Sequence, residues 1–128
     1  MCKTRRWVSL AVVLLLAGCQ SRLSFDRSVR VEPGAVNTFE IDPPRYDQKM
    51  GVTIETDSPV TVWVYLKNDA DAVEKDLTLK RQSDKVLATW TGDKSGTIEC
   101  SVPAHQIAIV RLEAEKKAAN VTVKVAGR

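Results

Sequence analysis

The sequence predicts an all-β domain: a single antiparallel β-sandwich of eight or nine short strands. Three observations carry that expectation. Apolar residues repeat at spacing two in segment after segment, most strongly at Val60, Val62, Val64 and Leu66, with Thr61, Trp63 and Tyr65 on the other face. Turn residues punctuate the chain at short intervals, as at Pro33-Gly34, Asp57-Ser58-Pro59 and Pro103-Ala104. The one charged, alanine-rich stretch, residues 67–76, has too few apolar positions for a long amphipathic helix.

Residues 1–18 have the parts of a secretory signal. Lys3, Arg5 and Arg6 give a positive start, residues 7–16 an apolar run interrupted by Ser9, and Ala17 and Gly18 the small residues of a cleavage site. Ten helical residues reach ~15 Å, about half the hydrocarbon thickness of a bilayer, so the run can start translocation but cannot span. The four residues Leu16-Ala17-Gly18-Cys19 resemble the lipobox of bacterial lipoproteins. The resemblance implies cleavage between Gly18 and Cys19, a diacylglyceryl group on the Cys19 sulfur, and a further acyl chain, such as palmitate, on its amine. Several acyl chains, each buried CH₂ contributing about 0.8 kcal/mol, would hold the protein on a membrane without a transmembrane helix. By the same resemblance, Gln20 rather than Asp after the cysteine favours the outer membrane.

Residues 19–27 are then expected to be the lipidated cysteine and a polar tether, with Leu23 and Phe25 its last contacts with a domain over 28–128. Val29 and Val31 alternate with charged residues as a first strand, and Phe39 and Ile41 mark a second that Pro43-Pro44 ends. Met50, Val52 and Ile54 form the third. Residues 60–66 form the fourth, apolar on both faces and so central or covered on its second face. Residues 67–76 turn charged and alanine-rich and read as a loop with one helical turn. Leu77-Thr78-Leu79 fits either a strand or a helix end. Val86, Ala88 and Trp90 share one face of the next strand, and Ile98, Cys100 and Val102 one face of the one after. Residues 106–113 and 120–125 complete the set, the last with Val121, Val123 and Val125 inward.

Without Lys3, Arg5 and Arg6 the chain has 16 basic and 16 acidic side chains, so there is no electrostatic footprint for nucleic acid. Cys2 leaves with the signal and Cys19 takes lipid. Cys100 therefore has no partner for an internal disulfide and reads as an inert core residue. One histidine, His105, does not make a zinc set, and no Gly-x-Ser-x-Gly motif accompanies it. Asn68, Asp69, Asp71, Glu74 and Asp76 form the one dense acidic cluster. A solvated loop is the favoured reading and a calcium loop the alternative, although EF-hand spacing fails because Glu74 stands where glycine is needed. Trp63, Tyr65 and Trp90 are either packed residues or a sugar-stacking platform.

The strand over 61–66, the charged loop, Ser95-Gly96-Thr97-Ile98, the Val102-Pro103-Ala104 corner and the final Val-x-Val-x-Val strand resemble small jelly-roll modules, namely pre-peptidase C-terminal and GOLD-like domains, over residues 28–126. That resemblance implies a jelly-roll-like sandwich that binds or positions other molecules. The expectation is thus a lipid-anchored envelope protein on the periplasmic side, not an enzyme, with no cofactor or metal, binding a protein or polysaccharide. The alternative is a periplasmic inhibitor or chaperone-like accessory protein acting through a strand edge.

Overall fold

The computed structural model describes residues 24–127. Eight strands form two four-stranded antiparallel sheets: β1 (Ser24–Val31), β2 (Val36–Ile41), β3 (Gln48–Thr56), β4 (Val60–Leu66), β5 (Val86–Gly92), β6 (Ser95–Val102), β7 (Ala108–Ala114) and β8 (Ala119–Gly127). One sheet, sheet A, has the order β1-β8-β3-β6; the other, sheet B, has β2-β7-β4-β5. Two interleaved four-stranded sheets of this order are a jelly roll. The expected signal segment, Gly18 and Cys19 all lie outside the described residues.

The core forms between the inner faces. Sheet A contributes Val31, Met50, Val52, Ile54, Val121 and Val123; sheet B contributes Ile41, Val60, Val62, Val64, Val110 and Leu112. Every one of these occupies an apolar position of a period-two pattern, so burial follows directly from the alternation. The outer face of sheet A is polar, with Ser28 and Thr122 hydrogen-bonded across β1 and β8 at 3.0 Å. Between β1 and β2 the Glu32-Pro33-Gly34-Ala35 turn closes with an Ala35 N–H to Glu32 O bond of 3.1 Å. Gly34 has φ +81°, the third position of a type II turn, where a side chain is disfavoured.

Three expectations change. The tether expected over 19–27 ends sooner, because Ser24 to Arg27 already pair with β8, from Ser24 opposite Ala126 to Arg27 opposite Val123. Arg27 broke the apolar alternation and hid this stretch. Its guanidinium lies over the rings of Phe25 and Phe39, 5.3 and 5.5 Å from their centroids, and so closes the β1–β2 side of the sandwich with an aromatic-backed cation.

Residues 67–78 are more helical than expected: a 3₁₀ turn, Lys67–Asp69, leads into α1 (Ala70–Thr78). Ala70, Val73 and Leu77 fall on one face of α1 and pack on the outer face of sheet B, so three apolar positions suffice when a sheet completes the burial.

The face assigned to β5 holds only in part. Val64 opposes Ala88 while Tyr65 opposes Val86, so Leu87 is the extra residue of a bulge. Ala88 and Trp90 pack on the main core, whereas Val86 joins the cluster on the outer face.

Candidate functional site

The outer face of sheet B differs from that of sheet A because it is apolar along its middle. The registers place Thr38, Arg111, Trp63 and Thr89 in one row across β2, β7, β4 and β5, and Glu40, Ile109, Tyr65 and Val86 in the next. Tyr65 and Ile109 are buried there against Val73 of α1. The Tyr65 hydroxyl donates to Glu74 Oε1 at 3.2 Å. Burial first, then the Glu74 carboxylate, raises the Tyr65 phenol above its ordinary value.

Arg111 is 7% exposed, and its place as the one cation of β7, two residues before Glu113, is the sequence signal that could have singled it out. Its Nη2 donates to Glu113 Oε1 at 2.7 Å, and its Cζ lies 5.8 Å from the Trp63 ring centroid. Its Nε has no hydrogen-bond partner. Neighbouring β-strands thus hold a cation, an aromatic ring and a carboxylate together beside α1.

Beyond this cluster the chain leaves α1 and walls off a groove. A Schellman motif ends the helix: Arg81 N–H bonds Asp76 O at 2.8 Å and Lys80 N–H bonds Leu77 O at 3.0 Å, with Lys80 in the left-handed region at φ 56°. The reversal sends residues 80–85 back along the sheet, and the space between encloses about 710 Å³ open to solvent. Trp63, Leu77, Val86 and Leu87 give it an apolar lining, Arg81 and Glu113 its charged margin. Its size and mixed lining suit an inserted side-chain cluster or a small ligand.

The sequence candidates fall as follows. Trp63 and Tyr65 occupy the outer face of sheet B, whereas Trp90 packs against the inner core, so the three aromatics form no shared platform. Trp90 is seated against Gly92 and Gly96, where any Cβ would collide with the indole. The acidic cluster is dispersed among protein partners. Asp69 pairs with Lys85 at 3.7 Å, Glu74 accepts from Tyr65, and Asp76 pairs with Arg81 at 3.5 Å. Asn68 donates to Gln106 at 2.8 Å. Among the described residues no group of three or more His, Cys, Asp or Glu side chains could hold a metal ion.

His105 is exposed on the β6–β7 connection at φ 64°, its backbone N–H bonded to Pro44 O at 2.8 Å. Cys100 sits opposite Met50 on β6, half-buried against the core, and burial pushes its thiol up to about 11. Among the described residues no helix is long and apolar enough to cross a membrane.

No protein-family model and no curated protein sequence matches the chain. Solved structures do resemble it. PliG from Aeromonas hydrophila, a periplasmic lysozyme inhibitor of g-type lysozyme, aligns with TM-score 0.61 and 12% identity over 86% of this chain and 90% of that one. The pre-peptidase C-terminal domain of a Bacillus anthracis collagenase aligns with TM-score 0.59 and 5% identity, covering 80% and 89%. The Yersinia pseudotuberculosis-derived mitogen aligns with TM-score 0.54 and 5% identity, covering 82% and 86%. At these identities the likeness is one of fold.

Proposed function

We propose that the protein is a non-catalytic periplasmic binding module, lipid-anchored through Cys19, that engages a protein partner with the groove on the outer face of sheet B. The groove carries this reading: an apolar lining that includes Trp63, margined by Lys80, Arg81 and Glu113, fits an apolar anchor residue flanked by charged side chains. The likeness in fold to a periplasmic lysozyme inhibitor supports a protein rather than a polysaccharide as partner. The dispersal of Trp63, Tyr65 and Trp90 also weighs against a sugar platform.

Strand addition, the other mode for such an accessory protein, is less well served. The sheet edges are β1, β6, β2 and β5, and β1 bears Asp26, Arg27 and Arg30, charges that discourage pairing with another chain.

A photoreactive amino acid at Thr89, beside the groove, and at Thr122, on the opposite sheet, tests the site in intact cells. The expected result is one protein adduct from position 89, absent from position 122 and lost when Gln82→Trp, at an exposed residue of the groove's lining, fills the groove with a bulky side chain. Titration of that purified partner should then show binding to the parent chain and none to Gln82→Trp. Equal adducts from both positions, or retention of glycan alone, would refute the reading.

A further inference from the structure

One end of the sandwich is stitched into a single cap. His105 N–H donates to Pro44 O and Lys67 N–H to Ile107 O, each at 2.8 Å. Ala104 N–H donates to Asp47 Oδ1 at 2.8 Å, and Asn68 Nδ2 to Gln106 Oε1 at 2.8 Å. The β2–β3, β4–α1 and β6–β7 connections are therefore tied to one another. At the tip of the cap stands Tyr46, 72% exposed, with Arg45 exposed beside it.

The chain enters the domain at this same end. Ser24 pairs with Ala126, and Ala126 with Gly51, so Ser24 stands level with Gly51 of β3. Gln48 lies three residues nearer the cap, which at about 3.4 Å per residue puts the 42–47 connection some ~10 Å beyond Ser24. Between Cys19 and Ser24 there are only the residues 20–23, a span of five residue steps. Fully extended, that reaches at most about 18 Å.

We infer that this cap is the membrane-facing end of the protein, with Tyr46 and Arg45 resting on the lipid headgroups of the leaflet that holds the Cys19 anchor. The inference rests on the lipid-anchored reading above. A tether that reaches at most about 18 Å is shorter than the ~25 Å of β1 that separates Ser24 from the opposite end, so the domain cannot turn that end to the bilayer. The chemistry of the tip suits that position. A tyrosine ring is amphipathic and settles at headgroup level, its hydroxyl in water and its ring against the acyl boundary. An arginine beside it can donate to lipid phosphates. The opposite end, with the β1–β2, β3–β4, β5–β6 and β7–β8 connections, then points away from the membrane. β1 has eight residues, so that end stands ~25 Å further out. The groove on sheet B runs along the flank between the two ends and stays open to the periplasm.

The test uses the full lipoprotein purified from cells and reconstituted in vesicles of phosphatidylethanolamine and phosphatidylglycerol. In a Cys100→Ala background, one fluorescent thiol probe is placed by Arg45→Cys in the cap and another by Lys117→Cys at the opposite end. Nitroxide-headgroup lipids are added as quenchers, and an alkynyl fatty acid fed during expression reports lipidation in the same samples. Quenching at position 45 should exceed that at position 117 several-fold. Equal quenching at both, or stronger quenching at 117, in protein that carries the fatty acid overturns the orientation and leaves the anchor standing. Protein that carries no fatty acid overturns both.

Discussion

Cys100 shows how a residue can be read from sequence in register but not in degree. The pattern Ile98, Cys100, Val102 placed it inward, and the pairing with Met50 puts it there. Its half-burial follows from β6 being a sheet edge, which spacing two cannot reveal. Burial raises the thiol to about 11, so the folded chain keeps the proton at pH values where the unfolded chain has lost it. The stability this contributes is intact below an unfolded thiol pKa of about 8.5 and is lost as the pH climbs to about 11. Cys100→Ala should cost about 1 kcal/mol at pH 7 through a small cavity. Urea melts from pH 8 to 11 should then show a shallower loss of stability in Cys100→Ala than in the parent chain. Parallel slopes, or fast reaction of the folded parent with a thiol dye at pH 7.5, would place the thiol in water. Arg111 was legible only as an anomaly. The lone cation of β7 marks a special site, and Glu113, two residues on and on the same face, is a local partner, whereas Trp63 on β4 comes to it only through chain folding.

At the scale of elements, the strands were legible and α1 was not. Strand faces follow from alternation alone, as β3, β6 and β8 demonstrate. A helix with three apolar contacts over nine residues is marginal by itself and exists because Tyr65 and Ile109 wait beneath it. The clue lay in β4, whose second face, Trp63 and Tyr65, needed a cover. The end of α1 also breaks a local rule, since Lys80 and not glycine takes the left-handed position of the Schellman motif. A side chain there costs roughly 1–2 kcal/mol, part of which a glycine gives back through the greater entropy of its unfolded chain. Lys80→Gly should therefore raise stability by about 0.5–1 kcal/mol in chemical denaturation, with no change in the helical circular-dichroism signal. A loss of stability would mean that Lys80 makes a contact outweighing its backbone strain. The bulge at Leu87 has a similar origin: one extra residue lets Val86 leave the inner face and join the helix contact, and no turn residue announces it.

At the scale of the whole molecule, strand partners were the part that sequence withholds. Alternation says which way a side chain points, not which strand lies beside it. Here β4 and β5 are the sole pair adjacent both in sequence and in a described sheet, and α1 separates even these. Every other ladder joins strands remote along the chain, and β1, the first, depends on β8, the last. The corners reinforce this closure. Asp57 accepts from Asn120 N–H at 2.8 Å and Asn120 Nδ2 at 2.9 Å, tying the β3–β4 turn to the start of β8. Those two bonds hold its carboxyl below the ordinary range. Such a topology has no sub-assembly that closes on itself: without β8, β1 loses its ladder and β3 one of its two. We therefore expect residues 20–128, made without lipid, to unfold in a single transition, and to refold in milliseconds to seconds as non-local sheets do. Trp63 and Trp90 report from opposite faces of sheet B, the first beside Arg111 and the second against Gly92 and Gly96. Urea curves followed by fluorescence in Trp63→Phe and in Trp90→Phe, and by circular dichroism in both, should each be coincident between probes, and a chelator should leave the midpoints in place. Two separated transitions would show that the sheets fold apart, and a midpoint lowered by chelator would bring back Asp69, Asp71 and Glu74 as calcium ligands. Stopping the chain before Ala119 should leave no cooperative transition at all, because the strand it removes is central to sheet A and is the sole ladder partner of β1.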